Sequence, residues 1–360
     1  MIKVALLGAG NPHSLGHLRT LQHLPEVEGV YLWDPDQEAL DTLQKAQPAK
    51  VQKSSTDLDS ILAIKDTLLA LVSHRNDQTP EICLRAIGAG KHVLCEKPLG
   101  RTARDVEPIV AAADKAGLKL GVCYQNRAHP AVVEARRLVS QGCIGPLMST
   151  EARYESTQIR VKINPKPWLF SRQYAGGGVL SWVGCHYIDL MRFVTGDEIV
   201  SVSAEVATRG GMNVDVEDVA TLVFRFRSGA IGSFKAGYVL PFDSGGPDAM
   251  PGYDTHMAFN GLAGRIYWNP TSIPQRLHAE STLEAWKGAP IREITLPLAT
   301  SPAYGGVFGE EYVRAFIHAA QGQGTAPATG RDALQIARII DAAYESSQTG
   351  RRVDVKPPAD

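Results

Sequence analysis

Three groups of residues in this 360-residue chain have types and spacings suited to chemistry. The first is Glu96-Lys97-Pro98, which ends the apolar run His92-Val-Leu-Cys95. A lysine at the carboxyl end of a buried strand in an open α/β sheet stands where such sheets bind ligands. Its ammonium can hydrogen-bond an oxygen that gains negative charge. Taken alone, the same pair reads equally well as a solvated loop cap. The second group is Gly8-Ala-Gly10-Asn11-Pro12-His13, directly after an apolar run. The first glycine permits a tight turn, the second lets backbone approach a pyrophosphate, and the next helix offers its positive end. His13 stands where a third glycine is expected, and Gly16 comes three residues late. Asp34 ends the next apolar run, where a carboxylate accepts from adenosine ribose hydroxyls and repels a ribose phosphate, so NAD is favoured over NADP. In Asp34-Pro-Asp36 it also suits a turn or cap. The third group is Gly176-Gly-Gly178 before Val179 to Val194. As a helix, that segment gathers Leu180, Val183, Tyr187, Leu190 and Val194 on one stripe and Trp182, His186, Asp189 and Phe193 on another, so one face packs and the other looks into a cleft. A lone helical histidine is more often structural, but a glycine triplet ahead of it lets a ligand or backbone come close.

The elements that must position these groups follow from periodicity. Ile2 to Leu7, Gly29 to Trp33, Thr67 to Val72, His92 to Cys95 and Leu118 to Tyr124 read as strands, alternating with helical patterns. Asp36 caps one helix, Thr79-Pro80 opens a second and Thr102-Ala-Arg-Asp105 opens a third. This alternation predicts a doubly wound parallel sheet with right-handed crossovers. After Tyr124 the pattern changes. A helix from Pro130 to Ser140 leads to strand-like segments at Leu147 to Ser156, Ile199 to Thr208, Val219 to Phe226, Ala230 to Tyr238, His256 to Phe259 and Arg265 to Tyr267. The expected architecture is a Rossmann domain over 1–124 and an open, mostly antiparallel sheet domain over 125–360, α/β followed by α+β. Helices are expected near Glu310 to Gln321 and Asp332 to Gln348, the last packing back. The loop from Pro241 to Pro251 is expected to be the most mobile.

Composition narrows the partners. With 44% hydrophobic residues and a net charge of −1 without runs of like charge, the chain has neither a nucleic-acid footprint nor an attraction to anionic membranes. Small neutral or zwitterionic partners fit better. Five scattered cysteines without a C-x-x-C pair point to a reducing compartment. No apolar stretch is long enough to span a bilayer, and a cytoplasmic location is expected. No metal site is expected.

Together these residues resemble the Gfo/Idh/MocA family of nicotinamide-dependent sugar and inositol oxidoreductases. The resemblance rests on Gly8 and Gly10, on Gly90-Lys-His-Val-Leu-Cys-Glu96-Lys97-Pro98, on Arg127-Ala-His-Pro130, on Trp168 and on Gly178 to Asp189. It implies that Lys97 contacts the reacting hydroxyl and lies near the nicotinamide, that Glu96 lies beside it, and that His186 is the catalytic histidine. It implies cofactor contacts from Gly8, Gly10, Asn11, Pro12, His13, Asp34, Ser73, His74, Asn76, Glu96, Lys97 and Gln125, and a homo-dimer or homo-tetramer assembled through the second sheet. The chain departs from the family pattern in several places. Trp182 replaces a usual aspartate four residues before His186, removing a charge that would hold Lys97 and His186 protonated, so either can serve as a neutral base. Ser73-His74-Arg75-Asn76 lacks the usual proline, and Leu169 stands where an arginine often follows Trp168. The substrate contacts expected are Lys97, Tyr124, Trp182 and His186, with Arg153, Lys162, Tyr253 and His256 as further candidates by position.

The expected function is hydride transfer between NAD and a secondary alcohol or ketone of a sugar, cyclitol or sugar derivative. Two alternatives belong to other classes. One is glycoside cleavage through transient oxidation at C3 by tightly held NAD, and the other is a non-catalytic ligand sensor.

Overall fold

The computed structural model describes residues 1–159, 163, 167–241, 252–271 and 274–357. The chain divides into two compact units, Met1–Ala128 with Ala299–Leu334, and His129–Leu298 with Gln335–Asp360.

The first unit opens with β1 (Ile2–Leu7), α1 (Ser14–His23), β2 (Val27–Trp33), α2 (Gln37–Ala46), β3 (Val51–Ser55), α3 (Leu58–Leu62), β4 (Thr67–Val72), α4 (Thr79–Gly88), β5 (His92–Cys95), α5 (Ala103–Ala116) and β6 (Leu120–Val122). The strands form one parallel sheet in the order β3-β2-β1-β4-β5-β6. Its central strands are covered on both faces, which is why they read as unbroken apolar runs: Val4, Leu6, Leu7, Leu71, Val72, Val93 and Leu94 are buried. Local chemistry starts and stops the helices. The Asp36 carboxylate accepts from Glu38 N at 2.9 Å, Thr102 accepts from Asp105 N at 3.3 Å, and α5 ends at left-handed Gly117. β3 and α3 escaped the sequence reading because Val51-Gln-Lys-Ser-Ser55 is a polar edge strand without alternation. The order reverses between β1 and β4, which places the ligand crevice at the carboxyl ends of the strands.

The second unit contains α6 (Pro130–Ser140), β7 (Leu147–Ser156), α7 (Arg172–Ala175), a π-helical turn (Leu180–Gly184), α8 (Cys185–Thr195), β8 (Ile199–Ala207), β9 (Val219–Phe226), β10 (Ile231–Gly237), β11 (Tyr253–Gly261), β12 (Gly264–Trp268), β13 (Gln275–Ser281) and β14 (Ile291–Leu296), with β15 (Val353–Asp354) from the end of the chain. The nine strands run β14-β13-β12-β11-β7-β10-β9-β8-β15, antiparallel except that β7 and β10 pair in parallel. One face packs under α8, where Tyr187 stacks on Phe234 at 5.4 Å and lies 5.6 Å from Tyr154. The other face carries polar pairs such as Arg153–Asp254 at 2.9 Å and a row of His256, Tyr267 and His278. Residues 242–251, most of the loop expected to be mobile, lie outside the described residues.

Residues 299–334 complete the first unit. α9 (Gly306–Ala320) seats Phe316 where a Cβ on Gly121 would come within 2.5 Å of its ring, and Tyr312 donates to the Val122 carbonyl. Buried Arg127 ties this segment down, its guanidinium 3.0 Å from both the Pro327 carbonyl and the Asp332 carboxylate. α10 (Gly330–Thr349) then carries the chain into the second unit.

Candidate active site

At the first strand–helix turn, Gly8 has φ +115°, and a Cβ there would lie 2.0 Å from the Ser73 carbonyl, so only glycine lets the ends of β1 and β4 approach. Gly10 is open by comparison: the nearest atom to an added Cβ is Asp34 Oδ2 at 3.8 Å. Asp34, 4% exposed, accepts from Ala9 N at 2.6 Å and Gly10 N at 3.0 Å through one oxygen and from Asp36 N at 2.9 Å through the other. The carboxylate expected at the ribose is therefore also a clamp on the glycine turn. Asn11 staples the same turn to β4, donating to the His74 carbonyl at 3.1 Å and accepting from His13 N at 3.0 Å. Ser14 Oγ lies 3.2 Å from Ser73 Oγ. His74 sits 3.9 Å from Asp34 with its ring 5.6 Å from Trp33, and burial pushes its pKa down. Asn76 is buried beyond β4, Pro12 lies between Asn11 and His13, and Gln125 opens the turn after β6. A tight turn, an open glycine, a helix N-terminus and a carboxylate at the end of β2 fit a dinucleotide.

Glu96 and Lys97 follow β5, both buried, with Lys97–Pro98 cis. His17 Nε2 lies 2.7 Å from Glu96 Oε1, His13 Nδ1 lies 3.3 Å from Oε2, and Lys97 N donates to Oε2 at 3.0 Å. Burial alone would raise the Glu96 pKa. The two imidazoles, His13 first, outweigh it and hold the carboxyl well below the usual range. An ionised carboxylate only accepts, so His17 carries its proton on Nε2. Burial pushes the His13 pKa down, against the pull of Glu96. Ligand atoms of His17, Glu96 and Cys123 come within 4.8 Å of one another, and His17 and Glu96 of this group hydrogen-bond each other directly.

In the second unit, the glycine triplet is explained by what presses on it. A Cβ on Gly178 would lie 1.9 Å from the Glu217 carbonyl, and one on Gly177 2.0 Å from the Tyr344 hydroxyl. The Glu217 carboxylate accepts from Gly178 N at 2.9 Å, Leu180 N at 3.0 Å and Tyr344 OH at 2.9 Å, and so caps the helical segment from outside it. Burial pushes its pKa up despite these donors. The segment is not the uniform α-helix the spacing predicts. Cys185 N bonds to the Leu180 carbonyl, and this π turn shifts the register. Trp182, 6% exposed and edge-on to Trp168 at 6.3 Å, and Asp189 are buried, while Val183, His186 and Phe193 are half-buried. Val183, not Trp182, thus shares the less buried face with His186.

Of the further candidates, Tyr124 is buried after β6, and Tyr253 lies near Tyr154 on the sheet face under α8. Arg153 and His256 lie on the opposite face, because alternation along β7 and β11 sends them away from Tyr154 and Thr255. Lys162 lies outside the described residues. The sequence reading missed His17, Glu217 and Tyr304. His17 had a signal, standing four residues after His13 on one helix face. Glu217 and Tyr304 had none, since their partners are far along the chain.

Comparison with known proteins agrees with this geometry. Residues 2–124 match the family model described as an oxidoreductase family, NAD-binding Rossmann fold, and residues 132–267 match the GFO/IDH/MocA C-terminal domain. The 1,5-anhydro-D-fructose reductase of Ensifer adhaerens is 29% identical over 85% of each chain. The levoglucosan dehydrogenase of Pseudarthrobacter phenanthrenivorans is 27% identical over 84% of each. The solved structure of a levoglucosan dehydrogenase with NADH and levoglucosan has TM-score 0.85, covering 99% of this chain and 100% of that one at 24% identity, which establishes the fold.

Proposed function

The chain belongs to the Gfo/Idh/MocA family of NAD-binding oxidoreductases, and from that premise we propose that it interconverts a secondary alcohol and a ketone on a sugar, cyclitol or sugar derivative. The observation that supports this most is the buried Lys97 at the carboxyl end of β5, its backbone fixed by an ionised Glu96. Bound NAD supplies the hydride acceptor for oxidation. Lys97 donates a hydrogen bond to the substrate oxygen and stabilises the developing alkoxide. His186, on the less buried face of α8, takes the hydroxyl proton. Asp34 receives the adenosine ribose, which favours NAD over NADP. Trp182, expected to offer an aromatic face to the sugar's C–H surface, is instead buried against Trp168. The names of the relatives support a sugar-like substrate. Assembly as a homo-dimer or homo-tetramer through the face of the nine-stranded sheet opposite α8 is consistent with exposed Val223 and Ile231 there.

The test follows NADH absorbance as the protein and NAD meet levoglucosan, 1,5-anhydro-sugars, aldoses and inositols. Turnover with NAD, weak with NADP, is expected, and Lys97→Met should cut kcat roughly 1,000-fold. An unchanged Lys97→Met variant sinks the lysine assignment. NAD that copurifies without net NADH formation would turn the reading toward transient oxidation.

A further inference from the structure

We infer that Tyr304 and His13 form a retaining element of the NAD site, their stacked rings setting how slowly the dinucleotide leaves. This rests on NAD binding at the Gly8–Gly10 turn and is independent of which sugar is used.

Tyr304 reaches that turn from far along the chain, in Pro302-Ala-Tyr-Gly-Gly306, and four glycines shape its seat. Gly305 and Gly306 are left-handed, at φ +82° and +68°, so the chain reverses just before α9. Gly309 lacks a Cβ that would lie 1.8 Å from the Tyr304 carbonyl, and Gly16 lacks one that would lie 2.9 Å from the Tyr304 Cβ. Tyr304 N donates to Thr20 Oγ1 at 2.8 Å. The residue is thus fixed along the face of α1 that bears His13, Gly16, His17 and Thr20. Its ring stacks on His13 at 4.8 Å and 29°, and meets His17 edge-on at 5.1 Å. On its other flank, a Cβ on Gly305 would lie 3.1 Å from the Gln125 amide, just beyond β6. The 302–309 segment therefore runs from the phosphate turn to the end of β6, along the carboxyl ends of the strands where such sheets hold ligands.

The consequence is kinetic. The turn is less glycine-rich than the usual loop, with His13 where the third glycine is expected. Left to itself, such a turn would flex and let the ligand go. Here His13 is gripped by Tyr304 on one side and by Glu96 on the other, 3.3 Å away. A preformed, braced site changes affinity chiefly through the dissociation rate.

The experiment measures NADH release from the full-length protein by stopped-flow fluorescence, with excess NAD chasing bound NADH. Tyr304→Ala and His13→Ala should each speed release roughly tenfold, and Tyr304→Phe, which keeps the ring, should stay within about twofold of the parent. The double variant should release no faster than either single one, because both remove the same stack. Tyr304→Leu, which keeps a Cβ against Gly16 but no ring, should also release fast and covers the case in which the alanine variant fails to fold. Parent-like release from Tyr304→Leu and His13→Ala, or additive effects in the double variant, overturns the inference while leaving NAD binding intact. A parent protein that binds no NADH overturns the cofactor reading and the inference with it.

Discussion

Glu96 and Glu217 are both closed off from solvent, at 4% and 2% exposure, and each fixes the backbone that presents a proposed catalytic residue. Glu96 accepts from the Lys97 backbone after β5, and Glu217 accepts from Gly178 and Leu180 ahead of His186. Burial raises the pKa of both, yet Glu96 ends well below the ordinary value of 4.5 and Glu217 above it. The difference lies in the donors. Glu96 faces two imidazoles and one backbone N–H, whereas Glu217 faces two backbone N–H groups and a phenol, with the half-exposed Arg172 guanidinium 3.7 Å away. Groups facing Glu96 that can themselves carry charge make ionisation favourable, and neutral dipoles around Glu217 only soften its cost. Equal burial therefore gives a carboxyl that ionises more readily than usual in one unit and less readily than usual in the other.

That contrast is open to direct measurement. The largest effect should come from Glu96→Gln, which removes charge-assisted hydrogen bonds in a dry site and should cost about 3 kcal/mol in urea unfolding at pH 7. Because the folded pKa of Glu96 is depressed, its stabilisation is fully present above 4.5 and is lost as pH falls through the folded value; the variant should lack that acid-side loss. Glu217→Gln should cost only about 1 kcal/mol at pH 7. Its parent has a raised folded pKa, so Glu217 destabilises most above that value and progressively less as pH falls toward 4.5. Stability curves of the two variants against the parent should therefore diverge with opposite slopes on the acid side. Equal costs and parallel slopes would abolish the distinction. The smallest effect, about 0.5 kcal/mol, is expected of Tyr344→Phe, which removes one neutral donor from Glu217. It should also move the Glu217 window to higher pH, and a window that stays put would show that the phenol contributes nothing to the carboxylate.

Much of this protein was legible without coordinates, where the signal is local. The apolar runs of β1, β4 and β5, the Asp36 and Thr102 caps, and the strands β7 and β9 followed from periodicity and capping chemistry within about ten residues. The glycine turn, Asp34 and the Glu96-Lys97-Pro98 motif were equally plain, and so was the family. Strands β13 and β14 were not, since Gln275-Arg-Leu-His-Ala-Glu-Ser281 and the mostly exposed Ile291-Arg-Glu-Ile-Thr-Leu296 resemble polar connections until they pair with each other. Asp34 shows the boundary within a single residue, because its spacing fits a ribose contact while its grip on Ala9 and Gly10 appears only in space.

What the sequence determined by itself was most of the strands and helices along the chain, the glycine turn after β1 and the strand end that carries Lys97. Tertiary structure alone decided what braces them: His17 on Glu96 across 79 residues, Tyr344 on Glu217 across 127, and the Tyr304 backbone on Thr20 across 284. It also decided the π turn that buries Trp182 and leaves Val183 beside His186. The physical reason is one of range. Helix and strand periods, caps and glycine turns are written in neighbouring residues, whereas the partner of a buried polar group is chosen by whichever distant segment the packed core brings within hydrogen-bonding distance.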